Sequence, residues 1–267
     1  MKSTKYIISC CAALTLATTA FAQDDAEALA KKLANPVASL ISLPLQLNYD
    51  ENIGPDEDGS ILKLNIQPVL PFSLNDDWNL ISRTILPVID QEDVPAAGMG
   101  ESGIGDIVQS LFFSPKEPTA GGWIWAVGPV ILLPTASEDV LGAEQWGVGP
   151  TALALKQEGP WTYGALVNHI ESVEGKDDRA DVSATFLQPF VSYVTKTKTT
   201  FTANLESTYD WESEEWSVPV NFNVSQMLKL GSQIFQIGIG TRYWADTLDG
   251  GPDGWGARAQ LTFLFPK

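Results

Sequence analysis

The chain has 267 residues, of which 44% are hydrophobic, and a formal net charge of −17 at pH 7. This charge argues against nucleic acid as a partner, because a protein that binds phosphates needs basic patches. Beyond the N-terminus no apolar run reaches the length of about 20 residues that a membrane-spanning helix needs. Any insertion into a membrane must therefore use strands.

Residues 1–22 have the pattern of a cleaved secretory signal peptide. A charged start and an apolar core precede a small-x-small cleavage site at 20–22. The alternative is a lipoprotein signal that uses Cys10, which would leave almost no apolar core before the cysteine. Cys10 and Cys11 are the two cysteines of the chain, so the mature protein is predicted to have no disulfide, thiolate nucleophile or cysteine metal site.

The segment 23–37 is predicted to be short and helical. Apolar residues recur at helical spacing up to Leu33, and Pro36 then ends the helix. Two interpretations stay open: a periplasmic lead-in to the domain that follows, or a plug that enters it.

Residues 38–267 are predicted to form strands that cross a membrane. Apolar and polar side chains alternate with a period of two, as in 43–49, which indicates strands whose faces meet different surroundings. In the last hairpin, 235–265, one face is too apolar and aromatic for water, and the other carries Arg242 and Arg258. A closed apolar core would not tolerate these arginines unpaired. Lipid outside and a polar lumen inside satisfy both faces.

We therefore predict an all-β fold: an antiparallel transmembrane β-barrel of about twelve strands, with a short N-terminal helix after the signal peptide. Seven prolines fall inside the predicted strands, away from the strand ends, where proline cannot donate to the ladder. We expect local bulges or broken pairing, including a bulge near Gln188-Pro189. The predicted strands are 39–49, 60–71, 78–89, 103–114, 122–134, 144–156, 160–171, 181–195, 199–210, 216–229, 232–245 and 254–265.

The connections between these strands alternate in length and charge. The odd-numbered connections are longer and acidic, whereas the even-numbered ones are mostly short and carry lysine. With both termini periplasmic, the odd-numbered connections face outward, where outer-membrane barrels have their long loops. The first of them is predicted to hold Asp50 and the run 56–58. The stretches 56–59 and 246–253 offer oxygen ligands that suit calcium. No stretch matches an ordered calcium loop, so solvated charge is the simpler interpretation and no metal site is predicted.

Eight of the tryptophans are predicted to form aromatic girdles at the two membrane interfaces, where an indole ring suits the headgroup zone. They are Trp78, Trp123, Trp146, Trp161, Trp211, Trp216, Trp244 and Trp255.

A set of polar side chains is predicted to point into the lumen and to set its selectivity. Arg242 and Arg258 are equidistant from residue 250, so the hairpin is expected to place them side by side. Two adjacent cations need an acidic lumen residue, an anionic group of a solute, or water in an open pore; the alternative is a structural charge network that closes the lumen. The set comprises Lys63, Arg83, Glu206, Arg242, Arg258, Asn65, Asn204, Gln236 and Gln260.

His169 is the single histidine and raises the question of a barrel enzyme. A hydrolase of this kind needs a serine whose proton the histidine takes and a group that orients the ring. Ser172 is near in sequence, but the parity of His169 places it toward lipid at the outer rim. We therefore predict no catalytic residues, no enzyme and no cofactor.

Four segments resemble an outer-membrane family filed under the meta-pathway of phenol degradation, whose members are sometimes mislabelled neuromedin U. They are GIGD at 103–106, GPVILLPTA at 128–136, WGVGP at 146–150 and LQPFVSY at 187–193. The resemblance runs over residues 36–267. It implies a Gram-negative outer-membrane barrel that takes up small, often aromatic or hydrophobic, compounds, and it supplies no binding residues.

The predicted function is a channel for passive uptake of small solutes across the bacterial outer membrane. The alternative is a non-transporting structural or adhesive envelope barrel whose acidic outer loops bind cations. The predicted partners are outer-membrane lipid, lipopolysaccharide, a solute of unknown identity, and the barrel-assembly machinery, which would recognise the C-terminal strand.

Overall fold

The computed structural model describes residues 23–266, with side chains from residue 27 onward. The signal peptide predicted for residues 1–22 lies outside the described residues. The elements are α1 Gln23–Leu33, β1 Ile41–Ile53, β2 Gly59–Ile66, β3 Val69–Ser73, β4 Trp78–Glu92, β5 Gly100–Ile104, β6 Ile107–Pro115, β7 Trp123–Leu133, a 3-10 turn Asp139–Leu141, β8 Gln145–Glu158, β9 Trp161–Gly175, β10 Ser183–Val194, β11 Thr199–Leu205, β12 Ser207–Asp210, β13 Glu215–Ser217, β14 Pro219–Leu230, β15 Gln233–Trp244 and β16 Gly254–Phe265.

These segments form one closed, antiparallel barrel of twelve strands. Four barrel strands are interrupted, so that β2 and β3, β5 and β6, β11 and β12, and β13 and β14 each continue one another. The barrel closes where β1 pairs with β16, from Ile41 opposite Phe265 to Tyr49 opposite Ala257. The predicted all-β barrel with one short N-terminal helix is confirmed.

In the described range, no helix is long and apolar enough to cross a membrane.

Two of the interruptions lie at prolines, as expected. The gap between β2 and β3 contains Pro68, and β14 begins at Pro219. The bulge predicted near Gln188-Pro189 is wrong, because β10 keeps a single register with β9 over its whole length. On its other side, the ladder stops at Phe190 opposite Asn204 and resumes at Leu187 opposite Ser207. The gap between β11 and β12 therefore accommodates the proline.

The outer face of the barrel is apolar and aromatic along its whole girth. Phe222, Ile239 and Phe265, for example, are 53%, 72% and 45% exposed. Side chains of this size are stable on a surface that lipid covers, and the alternation of the strands places their neighbours in the lumen.

The lumen face is only partly polar, which corrects the prediction of a polar lumen. On β4 and β6–β9 the inward side chains form a buried apolar cluster that includes Ile81, Phe112, Leu155 and Leu166. Val37, from the segment that precedes β1, packs into the same cluster. These inward side chains face protein rather than water, so an apolar lining is stable there. We call this buried cluster on β4 and β6–β9 the apolar wall.

The N-terminal segment lies inside one end of the barrel. Leu29, Ala30 and Leu40 are buried in a second cluster with inward residues of β10, β14 and β16, of which Met227 is one. Gln157 Nε2 donates to the backbone carbonyl of Lys31 at 2.8 Å. Strand β1 starts and β16 ends at this same end of the barrel.

Candidate functional site

Four charged side chains form a connected network inside the barrel. The guanidinium of Arg258 binds both carboxylate oxygens of Glu206, with Nη1–Oε1 at 3.0 Å and Nη2–Oε2 at 2.8 Å. Its Nε donates to Asn48 Oδ1 at 2.7 Å. Arg242 Nη1 donates to Asp50 Oδ2 at 3.0 Å, and Nη2 lies 3.9 Å from Glu206 Oε2. Glu206 therefore sits between the two arginines.

The network is buried, so its geometry matters for stability. Arg258, Arg242 and Asp50 are 4%, 7% and 5% exposed. Charges removed from water need partners of good geometry, and the two-pronged contact between Arg258 and Glu206 is of the strong kind. A Cβ atom at Gly256 would lie 2.7 Å from Asp50 Oδ1, so the absence of a side chain there leaves room for this carboxylate.

The expected side-by-side placement of Arg242 and Arg258 is wrong by two residues. Arg242 lies opposite Gly256, and Arg258 lies opposite Gly240. The last pair of the hairpin is Trp244 with Gly254, so the turn is centred on residue 249 rather than on residue 250. The two arginines share the lumen face as diagonal neighbours, which separates their charges and leaves space for carboxylates between them.

Two further cations face this network without an ion pair among the described residues. Lys63 lies within electrostatic range of Asp50, Glu206 and Arg242. Arg83 acts on Glu206 in the same way, and its Nη2 donates to the amide oxygen of Gln67 at 3.1 Å. We call Asp50, Lys63, Arg83, Glu206, Arg242 and Arg258 the charge cluster: four cations and two carboxylates.

A cavity of about 530 Å³ lies in the lumen between the charge cluster and the N-terminal segment. Arg83, Glu206 and Arg258 line it, whereas Lys63 and Arg242 are set back from it. The predicted amide residues also line it: Asn65, Asn204, Gln236 and Gln260. Inward apolar side chains of β4, β6, β9 and β10 also line it: Ile85, Val108, Ile170, Phe186 and Phe190. Polar side chains such as Asn168 and Gln188 lie among them on β9 and β10, so the cavity combines charged, amide and apolar lining.

Sequence reasoning missed Asp50 as a lumen residue. It lies within β1 and points inward, although the first acidic outer loop was predicted to hold it. The signal was present, because Asp50 shares the parity of Gln46 and Asn48, which also face the lumen. Asn221 has the inward parity of its strand but is not in the predicted lumen set; its amide donates to Asn204 Oδ1 at 2.9 Å.

The predicted tryptophan girdle needs one correction. Trp244 points inward, where Nε1 donates to Asp50 Oδ1 at 2.9 Å and Arg242 lies 4.9 Å above the ring. It has the same parity as Arg242, and that parity overrides its position near the outer rim. The other seven tryptophans lie on the outer face, some in ring contacts such as that of Trp255 with Tyr243.

His169 lies on the outer face of β9. Its Nδ1 is 2.9 Å from Thr185 Oγ1, and its Nε2 is 3.2 Å from Glu171 Oε2. Ser172 contacts Asp181 instead. The histidine and the nearby serine are therefore not assembled as a nucleophile and its base.

The outer loops are tied together by polar contacts. Asp106 accepts three backbone N–H groups of the 134–143 connection. Glu144 pairs with both Lys176 and Arg179. The pKa of Lys176 is raised above its ordinary value, chiefly because its ammonium donates to Glu144. Among residues 23–266, no group of three or more potential ligands could hold a metal ion.

Comparison with solved structures supports the fold. The chain is similar to a crystal structure of an outer membrane channel from Pseudomonas putida F1, with a TM-score of 0.65 and 13% identity over 85% of this chain and 96% of that one. Weaker similarities are to the β domain of the Bordetella autotransporter BrkA (TM-score 0.47, 12% identity, 85% of this chain and 100% of that one) and to a bacterial polysaccharide outer membrane secretin (TM-score 0.36, 9% identity, 85% and 99%).

No protein-family model matches the sequence, and no curated protein matches it significantly. The similarity to the Pseudomonas channel, at 13% identity, is one of fold. Membership of the phenol meta-pathway family stays a prediction.

Proposed function

We propose that this protein is an outer-membrane channel for the passive passage of small solutes. The observation that carries the proposal is the lumen cavity of about 530 Å³, which contacts both the charge cluster and inward apolar side chains. A barrel that served only as a wall or an adhesin would have no need for an interior space lined by buried charges. The resemblance to an outer-membrane channel fold supports the same assignment, and the structural or adhesive alternative is not favoured.

The N-terminal segment is the proposed plug of this channel. Its apolar side chains occupy the end of the barrel where β1 begins, and Val37 and Leu40 contact opposite sides of the lumen. Residues 30–38 also line the cavity from that end. Solutes would then leave the cavity toward the periplasm only when this segment moves.

Planar-bilayer conductance of the purified protein tests both parts. We expect small, infrequent openings for the full chain and larger, steadier openings after deletion of residues 23–36. A milder variant, Leu29→Ser, should loosen the segment and raise the open fraction without removing it. A folded barrel that gives no conductance in either form would overturn the channel assignment. Equal conductance of the two forms would overturn the plug alone.

We also propose that the C-terminal strand directs assembly in the outer membrane. Phe265 ends β16 on the outer face and pairs with Ile41 at the barrel seam. We expect Phe265→Ala to reduce the amount of folded protein in outer-membrane fractions more than deletion of residues 266 and 267 does, because the aromatic side chain is the assembly signal and the last two residues follow it. The opposite ranking would contradict this assignment.

A further inference from the structure

The charge cluster contains more positive than negative charge. Lys63, Arg83, Arg242 and Arg258 are opposed by Asp50 and Glu206, which leaves two cations in excess. The chain as a whole carries a net charge of −17, so the lumen at this level has the opposite sign to the protein. The two cations without an ion pair, Lys63 and Arg83, are half-buried, and such a charge needs water or an ion of opposite sign to accompany it.

Arg83 is the cation best placed to hold such an ion. It lines the cavity, and its one hydrogen bond among the described residues uses Nη2 toward Gln67. A guanidinium has five N–H donors in a fixed plane, so most of its donors remain for a ligand. This geometry suits a carboxylate, which a guanidinium can bind through two parallel hydrogen bonds.

A group of apolar side chains in the cavity can contact an apolar body. Ile85 and Val108 lie on the strands beside Arg83, on β4 and β6, and Phe186 and Phe190 project from β10. β10 is five barrel strands from β4 in the order of the sheet, nearly opposite in a ring of twelve. A ligand whose anionic end meets Arg83 can therefore extend across the lumen onto the phenylalanines. The volume of about 530 Å³ is that of an ordinary small-molecule site.

We infer that the lumen cavity is a binding site for small organic anions that combine one carboxylate with an apolar body, with the carboxylate held by Arg83 and the body held against Phe186 and Phe190. This inference deepens the proposed channel function and rests on it. The cavity is the point at which the channel would select its solute.

Equilibrium dialysis against the full-length protein in lipid nanodiscs tests the site without requiring flux. The probes are hexanoate, the neutral hexanamide and acetate, which lacks the apolar body. We expect hexanoate to bind about tenfold more tightly than hexanamide, from a charge-assisted hydrogen bond, and acetate to bind more weakly than hexanoate. Lipid partitioning would favour the amide, so a preference for the anion identifies the protein site.

Variants with matched controls locate the site. Arg83→Gln should reduce hexanoate binding about tenfold and remove the preference over hexanamide. Lys156→Gln, the same change of charge on the outer face, should leave binding unchanged. Phe186→Ala should weaken hexanoate binding several-fold and leave acetate unaffected, because it removes part of the apolar contact. Phe222→Ala, the same change on the outer face, should have no effect.

Equal binding of hexanoate and hexanamide to the wild-type protein would overturn the inference, whatever the variants do. So would an unchanged preference in a folded Arg83→Gln protein. Binding of hexanoate without conductance would leave the site in place and overturn the channel function. Conductance without any preference for hexanoate would overturn the binding site and leave the channel function in place.

Discussion

The two sides of the lumen differ in what holds them together. The apolar wall on β4 and β6–β9 is filled by close-packed side chains, and Val37 of the N-terminal segment completes it. The charge cluster is held by directional contacts such as the 2.8 Å bond between Arg258 and Glu206. The apolar wall gains stability from burial in proportion to area. In the charge cluster, the Arg258–Glu206 and Arg242–Asp50 pairs are stable only as long as each buried charge keeps its partner.

This difference shows why a barrel interior is not uniformly polar. An inward side chain can be apolar wherever another part of the chain covers it, and it must be polar or charged where water or a solute reaches it. In this barrel the same lumen contains the apolar wall and the charge cluster, and the cavity is lined by charged, polar and apolar side chains. The contrast predicts different responses to substitution on the two sides.

The largest expected loss of stability is from Phe112→Ala in the apolar wall. Phe112 is 1% exposed, and truncating a buried phenylalanine costs about 3–5 kcal/mol because a cavity remains. Phe113→Ala is the matched control, since Phe113 is the next residue, points outward and is 40% exposed. Lipid chains can fill the space that it leaves. Guanidinium unfolding in lipid vesicles measures both, and equal losses would mean that Phe112 does not contact a packed wall.

The next largest loss is expected from Glu206→Gln in the charge cluster. It leaves Arg258 and Arg242 without their shared carboxylate, and removing one partner of a buried pair costs about 3 kcal/mol or more. Adding Arg258→Gln to this variant should restore part of the stability, because the unpaired cation is then absent. Glu158→Gln, on the outer face at the periplasmic end of β8, should have no measurable effect, because exposed ion pairs contribute little. A double variant whose loss equals the sum of the two single losses would contradict coupling between the two residues.

A smaller loss is expected from Trp244→Phe, which tests the boundary between the lumen and the girdle. The change removes the indole N–H that donates to Asp50 at 2.9 Å, and a hydrogen bond to a charged group contributes about 1.5–3 kcal/mol. Trp255→Phe on the outer face is the control and should be nearly neutral, since Trp255 is 60% exposed. Circular dichroism follows unfolding without depending on the tryptophans. Equal effects of the two changes would place Trp244 in the girdle after all.

Much of the architecture could be predicted from local patterns. The period of two in β1 and β16 indicated strands and told the outward face from the inward one, because a strand alternates its side chains regardless of its partners. Alternating loops of different length and charge indicated an up-and-down barrel. The inward parity of Arg242, Arg258 and Glu206 followed from the same rule.

The partners of those residues could not be predicted in this way. Arg242 meets Asp50 at a separation of 192 residues along the chain, and Arg258 meets Glu206 at a separation of 52. Such contacts depend on how the barrel closes and on the register of the last hairpin. A shift of the turn centre by one residue, from 250 to 249, moves the partner of Arg242 by two residues. Its acidic neighbours predict a loop position for Asp50, and its place near the outer rim predicts a girdle position for Trp244. In the barrel, the parity of each residue along its strand directs its side chain into the lumen.

The sequence by itself determined the outward and inward faces of the strands that alternate clearly, such as β1 and β16, since this alternation is local and needs no knowledge of the neighbours. Only the tertiary structure decided that one side of the lumen is apolar, that the N-terminal segment lies inside the barrel, and that a cavity remains beside Arg83. The physical reason is that these features arise where distant segments meet, and the free energy of an inward side chain depends on what the rest of the chain places opposite it.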